Sequence, residues 1–387
     1  MTTRSQGSTA IVGVGQTEFS KSAGRSETQL ASEAILAALA DAGLGVGDVD
    51  GLVSYTIDPV EETELVRAIG IPDLGWSSRV PYGGAGSQGV LLHAVGALAS
   101  GAADVVVAYR ALRARSGSRF GRATGGRAPT TAHSGTTAMQ WAFPYGVFTP
   151  ASWMSLNATR YMHTFGVTNE DFGRAVVQLR AYAATNPQAH FYGRPITLAD
   201  HQASRWIAEP AIRLFDCCQE TDGAVALVIT TADRVAGTRA PVVIEQVAGA
   251  ALFEQEVASD HYGSDLSTMK GSAALAGKLF GSGVSRTDID VAMVYDAFSP
   301  ILLMQLEALG FCGFGEAKDF IADGNLGPKG TLPCNTNGGL IGEGYIHGMN
   351  LTLEAVRQLR GESCNQLDDP RFALVSATRT GAILRRL

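Results

Sequence analysis

The sequence predicts an α/β fold made of two halves with the same order of elements. Helical and strand patterns alternate along its 387 residues, and two separate phrases of that alternation are each written twice. The first phrase is an apolar-faced helix, glycine, an Asp-x-Asp step and a strand. The second is a helix, a single glycine and a buried strand.

In chain order, Ala10 to Val14 reads as a first strand, and Ser26 with Gln29 forms a capping box that opens a helix. That helix carries Leu30, Ala34, Ile35, Ala38 and Leu39 on one face, and Gly43 ends it. Asp48-Val49-Asp50 then leads into a strand at Leu52 to Tyr55. The later copy runs from helix Ser272 to Phe280 through Asp288-Ile289-Asp290 into strand Val291 to Tyr295, which sets Tyr295 against Tyr55. The second phrase is helix His93 to Ala99, Gly101 and strand Asp104 to Ala108. It is echoed by helix Leu353 to Leu359, Gly361 and strand Phe372 to Ser376. Between the copies lies a less regular region, about 110–220, read as a loop domain inserted in the first half and closed by a strand at Ala224 to Thr230. The expected division is an N-terminal half at 1–250, containing that loop domain, and a C-terminal half at 251–387.

Composition narrows the function. With 45% apolar and 17% charged residues the chain is long enough for two fused core units. A net charge of -7 argues against general binding to nucleic acid or membrane surfaces, which requires an excess of Lys and Arg. Arg110, Arg113, Arg115, Arg119, Arg122 and Arg127 form a local exception, read either as a solvated arm or as an anchor for the phosphates of an acyl-CoA. Cys217, Cys218, Cys312, Cys334 and Cys364 are odd in number and lack a CxxC pair, so neither a disulfide framework nor a zinc site is signalled and a cytoplasmic location is expected. No apolar run reaches the roughly 18 residues of a membrane span.

The segment Asn335 to Gly348, NTNGGLIGEGYIHG, concentrates glycines around Tyr345. It joins IVGVGQTEFS near the start, Asp222-Gly223-Ala224 before the mid-chain strand, and VYDAFSP at Val294 to Pro300. In order and spacing these features resemble the thiolase superfamily over nearly the whole chain, and especially its sterol-carrier and lipid-transfer-protein branch. The resemblance implies the thiolase fold: duplicated βαβαβαββ halves forming a layered αβαβα core with an inserted loop domain.

The resemblance also shows what is missing. Thiolases take the acyl group on a cysteine at the start of an early helix, and the matching stretch, Pro81 to Ser87, puts Gly84 in that place. Ser87 is expected to act as a helix N-cap. The second thiolase cysteine should fall within Val375 to Thr380, where none stands. The oxyanion-hole asparagine and histidine of the family are replaced by Tyr295 and Tyr345. Ser299 and Pro300 are expected to cap and start the helix after Tyr295.

Two phenols without a nucleophile suit a β-hydroxyacyl thioester, whose Cα–Cβ bond can break once its hydroxyl proton is removed. An unperturbed phenol is ionised only about one part in a thousand at pH 7, a cost of roughly 4 kcal/mol, so proton transfer must be concerted or a pKa lowered. Tyr295 is assigned as base and Tyr345 as donor to the enolate, an order open to reversal. Asp296, Glu343 and His347 are supporting candidates. Gly84, Gly339, Gly344 and Gly348 are candidates for close substrate approach, with Arg113 and Arg115 for the CoA phosphates. Pro144, Tyr145, Phe148 and Trp153 are candidate pocket residues.

Both tyrosine positions resemble those of the steroid side-chain-cleaving aldolases. That resemblance implies cleavage of a 17-hydroxy steroid 20-carboxyl-type CoA to a 17-ketosteroid and propionyl-CoA. It implies no cofactor beyond the CoA of the substrate, a homodimer, and an OB-fold partner of the domain-of-unknown-function type associated with an acyl-CoA hydratase. Two alternatives stay open: a non-catalytic acyl-CoA or lipid-binding scaffold, and an atypical thiolase using Cys334.

Overall fold

The computed structural model describes residues 8–81, 83–117, 119, 143–235, 237–252 and 263–387. Its strands are β1 (Thr9–Gln16), β2 (Gly51–Tyr55), β3 (Trp76–Val80), β4 (Val105–Arg113), β5 (Trp206–Ala208), β6 (Ile212–Arg213), β7 (Asp222–Thr231), β8 (Val242–Gly249), β9 (Val291–Val294), β10 (Phe372–Ser376) and β11 (Thr380–Arg386). The helices that place the site are α1 (Glu27–Ala42), α2 (Glu62–Ile69), α3 (Gly89–Ser100), α4 (Pro150–Phe165), α5 (Asn169–Thr185), α6 (Leu198–Ala203), α7 (Lys270–Leu279), α8 (Ser299–Ala308), α9 (Ala317–Ala322), α10 (Gly339–Gly342) and α11 (Met349–Arg360).

Among the described residues the main sheet has nine strands in the order β3-β2-β4-β7-β1-β8-β11-β10-β9. Read outward from the centre, β1-β7-β4-β2 and β8-β11-β10-β9 repeat one pattern of two antiparallel pairings followed by a parallel one. The halves meet where β1 pairs antiparallel with β8 at Ala10↔Val243 and Ile11↔Val242. A parallel bridge between Ala292 and Cys334 stands where β3 stands in the first half.

Strand alternation explains the layers. In β1, β4 and β7 successive residues feed opposite cores: Ile11, Val106, Ala108, Val225 and Leu227 face one cluster, and Ala10, Val12, Val107, Ala224 and Ala226 the other. Helix α1 covers the outer face of the first half. Helices α3 and α11 touch strands of both halves and form the middle layer, and α7 packs on β8 and β11. The duplicated, layered thiolase-type architecture is therefore present.

Local signals held where the chain had no tertiary competitor. Ser26 and Gln29 form the capping box of α1, and Gly43 ends it at φ 69°. Three expectations need correction. Ser87 does not cap α3: Gln88 is the N-cap residue, and the buried Ser87 Oγ accepts from Gln88 Nε2 at 3.0 Å. Phe298, not Ser299, is the N-cap of α8, and Ser299 Oγ donates to Asp216 Oδ1 at 2.5 Å. Arg110 is no part of a surface patch, because β4 continues to Arg113 in register with Asp222 and carries Arg110 into the interior. Arg122 and Arg127 lie outside the described residues, as does Tyr82.

Candidate active site

Tyr295 follows the last residue of β9, where its N–H donates to Ser376 O at 2.8 Å and its carbonyl accepts from Gln305 Nε2 at 2.7 Å. Asp296 turns to the opposite side. Its carboxylate accepts the N–H groups of Leu340 (2.9 Å) and Ile341 (3.3 Å), fixing the short α10. Asn335 lies beside β9, accepting from Val294 N at 2.7 Å and donating to Val294 O at 2.8 Å.

The segment leading to Tyr345 is held from behind. Glu343 accepts from Asn337 (2.5 Å), Asn350 (2.7 Å) and Asn186 (3.1 Å), and Tyr345 N donates to Thr221 Oγ1 at 2.9 Å. The result is two phenol oxygens 2.9 Å apart, Tyr295 Oη to Tyr345 Oη, with both side chains buried.

Gly84 explains why that pair fits. A Cβ on Gly84 would stand 2.0 Å from Tyr295 Oη, so the phenol occupies the space that any side chain at this position needs. Gly348, at φ 86°, closes the other side, its notional Cβ 3.3 Å from Tyr295 Cδ2. The remaining two candidate glycines approach the protein's own side chains. Added Cβ atoms would meet Asp296 Oδ2 at 2.1 Å from Gly339 and the Phe19 ring at 2.8 Å from Gly344.

Burial pushes the ionisation of both phenols upward. The two are not equivalent. Burial and then Cys218 oppose ionisation of Tyr345, eased by the Tyr295 hydroxyl and the Arg110 guanidinium, whereas burial, Tyr345, Cys218 and Asp296 all oppose ionisation of Tyr295. Burial also pushes the Asp296 carboxyl up to about 7 and the Glu343 carboxyl up to about 8. Burial, then Arg110, holds the His347 imidazole well below its ordinary range.

His347 joins the site through its ring, 5.1 Å and edge-on from that of Tyr345. Its Nδ1 accepts from Arg110 Nε at 3.1 Å, and Arg110 Nη1 pairs with Asp58 Oδ2 at 2.7 Å. Tyr55, at the end of β2 as Tyr295 is at the end of β9, donates to Ser87 O at 2.7 Å. The internal repeat pairs these two tyrosines and was the signal for Tyr55. Arg110, Asp58 and Cys218 had no such signal. Arg113 and Arg115 are not brought to the phenols by any described contact: Arg113 bonds Ser116 Oγ at 3.3 Å and faces Glu27 at 3.8 Å, while the Arg115 N–H is held by Asp222. Tyr145 is 84% exposed, and the Trp153 indole donates to Val147 O, so neither is placed against the phenol pair by these contacts. The Cys334 thiol is buried, and burial drives its pKa up, away from nucleophilic character.

Comparison with known proteins agrees with this architecture. Residues 257–385 match the family described as thiolase C-terminal domain-like. The chain is 50% identical over 373 residues to a steroid side-chain-cleaving aldolase of Thermomonospora curvata, covering 96% of this chain and 95% of the relative. It is also 50% identical over 373 residues to a 17-hydroxy-3-oxo-4-pregnene-20-carboxyl-CoA lyase of Mycobacterium tuberculosis, covering 96% of each. A solved structure described as the Ltp2-ChsH2(DUF35) aldolase superposes with a TM-score of 0.93 at 48% identity over 98% of both chains. Human mitochondrial 3-ketoacyl-CoA thiolase shares the fold at a TM-score of 0.68 and 16% identity, over 99% of this chain and 100% of its own. The chain belongs to the thiolase superfamily, in its branch of steroid side-chain-cleaving aldolases.

Proposed function

We propose that the protein is a carbon–carbon lyase that cleaves the Cα–Cβ bond of a 17-hydroxy steroid 20-carboxyl-type CoA by retro-aldol chemistry, giving a 17-ketosteroid and propionyl-CoA. The observation that carries this reading is the phenol pair, 2.9 Å apart, with Tyr295 filling the space beside Gly84. Attack on a ketone needs a nucleophile there. Retro-aldol cleavage needs only a proton taken from oxygen and one returned to carbon.

The reading takes Tyr295 as base and Tyr345 as donor to the enolate, an order open to reversal because either hydroxyl can donate across the 2.9 Å pair. Since burial opposes a standing phenolate on either ring, the transfer is concerted. The substrate hydroxyl proton passes to Tyr295, the Tyr295 proton to Tyr345, and the Tyr345 proton to Cα of the departing thioester enolate. The C–O bond becomes a carbonyl as the Cα–Cβ pair moves onto the enolate. Both phenols begin and end neutral, and no cofactor enters the balance. Arg113 and Arg115 remain candidates for the CoA phosphates on charge alone.

The reading includes a DUF35-type OB-fold partner, in line with the name of the matched complex, together with a homodimer, association with an acyl-CoA hydratase and a cytoplasmic setting. Among the described residues no helix is long and apolar enough to cross a membrane. The test is product analysis with the steroid acyl-CoA, the co-expressed partner and no free CoA. Equal amounts of propionyl-CoA and 17-ketosteroid are expected. Bound but intact substrate would favour the scaffold alternative.

A further inference from the structure

We propose that the segment Asp216 to Thr221 is a strap that sets the spacing of the two phenols, tied at Asp216 to the start of the helix after Tyr295 and at Thr221 to the backbone of Tyr345. Asp216, Ser299 and Thr221 are then positioning residues. The reaction they serve rests on the retro-aldol reading, but the strap itself does not.

The two tyrosines lie on separate segments, 50 residues apart, and the strap runs along both. On the Tyr295 side, Cys217 forms an antiparallel bridge with Phe298, and the Cys218 N–H donates to Ala297 O at 2.8 Å. On the Tyr345 side, the Gln219 N–H donates to Leu340 O at 3.0 Å, and Glu220 forms a parallel bridge with Tyr345. Thr221 Oγ1 then accepts the Tyr345 N–H at 2.9 Å. Thr221 is fully buried, so an isosteric side chain without that oxygen would take away the acceptor of a buried N–H. Cys218, in the middle of the strap, opposes ionisation of both phenols, which agrees with a place beside the pair.

The Asp216 end is fixed by a polar chain whose direction follows from donor inventory. Arg213 Nε only donates, so Asn169 presents its Oδ1 there, at 2.6 Å. That same oxygen, 3.2 Å from the Gln202 amide, turns Gln202 Nε2 towards it. The nitrogen also stands 3.2 Å from His201 Nδ1, which must accept, so the ring proton sits on Nε2 and is donated to Asp216 Oδ1 at 2.9 Å. Asp216 accepts three further donors: Ser299 Oγ at 2.5 Å, Arg213 N at 2.7 Å and Asn169 Nδ2 at 3.4 Å. His201, Asp216 and Ser299 are all fully buried. Ser299 is the first residue of α8, and Gln305 of the same helix holds the Tyr295 carbonyl. Helices α5 and α6 thus hold the Tyr295 side through Asp216, and Thr221 carries the same segment on to Tyr345. A spacing of 2.9 Å lets a proton cross between the phenols, whereas a displacement of about 1 Å in a reacting group costs on the order of 10²-fold in rate.

The test joins spectroscopy to kinetics on the protein co-expressed with its partner. With tyrosine labelled at ¹³Cζ, the two signals are assigned by their loss in Tyr295→Phe and Tyr345→Phe. Both should shift in Thr221→Val and in Ser299→Ala, and stay in place in Thr221→Ser. In kinetics, Thr221→Val should lower kcat about 10–10²-fold with KM within about threefold, Thr221→Ser should recover most of that loss, and Ser299→Ala should lower kcat about tenfold. In a Tyr345→Phe background Thr221→Val should cost less than about twofold, because the hydroxyl it positions is gone. Signals that stay in place in both Thr221→Val and Ser299→Ala would overturn the proposal. So would equal kcat in Thr221→Val and Thr221→Ser, or the same fold loss in both backgrounds. Ser299→Ala reads the strap from its other end, which keeps the proposal testable if Thr221→Val does not fold. The NMR arm needs no substrate, so a wrong acyl chain would silence the kinetic arm alone.

Discussion

Adding one methyl group at Gly84 tests the phenol geometry directly. In Gly84→Ala the new Cβ would stand 2.0 Å from Tyr295 Oη and 2.7 Å from Cζ, whereas real Cβ contacts stay beyond 3.0 Å. The hydroxyl must therefore retreat by roughly 1 Å, on a residue whose backbone is pinned by Ser376 and Gln305 and whose ring is bounded by Gly348. A displacement of about 1 Å in a reacting group costs on the order of 10²-fold in rate, equivalent to about 2.7 kcal/mol of barrier. Overpacking costs a further 1–3 kcal/mol or so of stability. The expected outcome is a roughly hundredfold fall in kcat with a modest fall in Tm, followed as propionyl-CoA released without free CoA. Gly84→Cys should lose cleavage equally and gain no thiolysis, since the thiol displaces the phenol it would have to work beside. A Gly84→Ala protein with wild-type kcat would refute the claim that the phenol occupies this space in the working enzyme.

Three further outcomes follow from the same geometry. Tyr295→Phe and Tyr345→Phe should each lower kcat by at least about 10²-fold, and the double variant should be little worse than either single one, because one relay is broken in each; additive losses would mean separate roles. Asp296 and Glu343 have folded-state pKa values raised to about 7 and about 8, from 3.8 and 4.5. The folded state then holds more protons than the unfolded one above the range where the depressed His347 and His190 act in the opposite sense and below the range where Lys21, lowered to about 8, does so, so Tm should fall from about pH 6.5 to about 7.5. Glu343→Gln should flatten that slope, and a Tm that rises across the window would contradict the assignment. Cys334→Ala should keep kcat within about twofold at a small cost in Tm, and an acyl group found on Cys334 by mass spectrometry would restore the thiolase alternative.

The fold was legible because its signals are local and repeated. The capping box of Ser26 and Gln29, the stop at Gly43 and the matched ends of β2 and β9 depend on near neighbours or on duplication. The phenol positions were legible through the resemblance, which placed Tyr295 and Tyr345 together although 50 residues separate them. Contacts decided by tertiary packing were not. Arg110 read as one member of a basic run, yet its strand neighbours carry it inward to Asp58 and His347. Ser87 and Ser299 stood where capping serines stand, but Ser87 accepts from the adjacent Gln88 and Ser299 donates to Asp216 on a distant segment. Gly339 and Gly344 looked like openings for substrate and are filled by Asp296 and Phe19. A sequence records that a residue is small or charged, but what takes up the space or the charge is set by chain tens to hundreds of residues away.

The antiparallel seam between β1 and β8 has a consequence for how the protein is made. Arg110, Asp58, Gly84 and Tyr55 are synthesised before Tyr295, Tyr345 and His347, and before the Arg379 N–H that bonds Ala85 O. An emerging N-terminal half can begin to fold, since domains tend to do so in order of synthesis. In that interval Arg110 and Asp58 await the element that covers them, and the apolar faces destined for the middle helical layer have only half their partners. Catalytic competence therefore requires the second half to dock on the first.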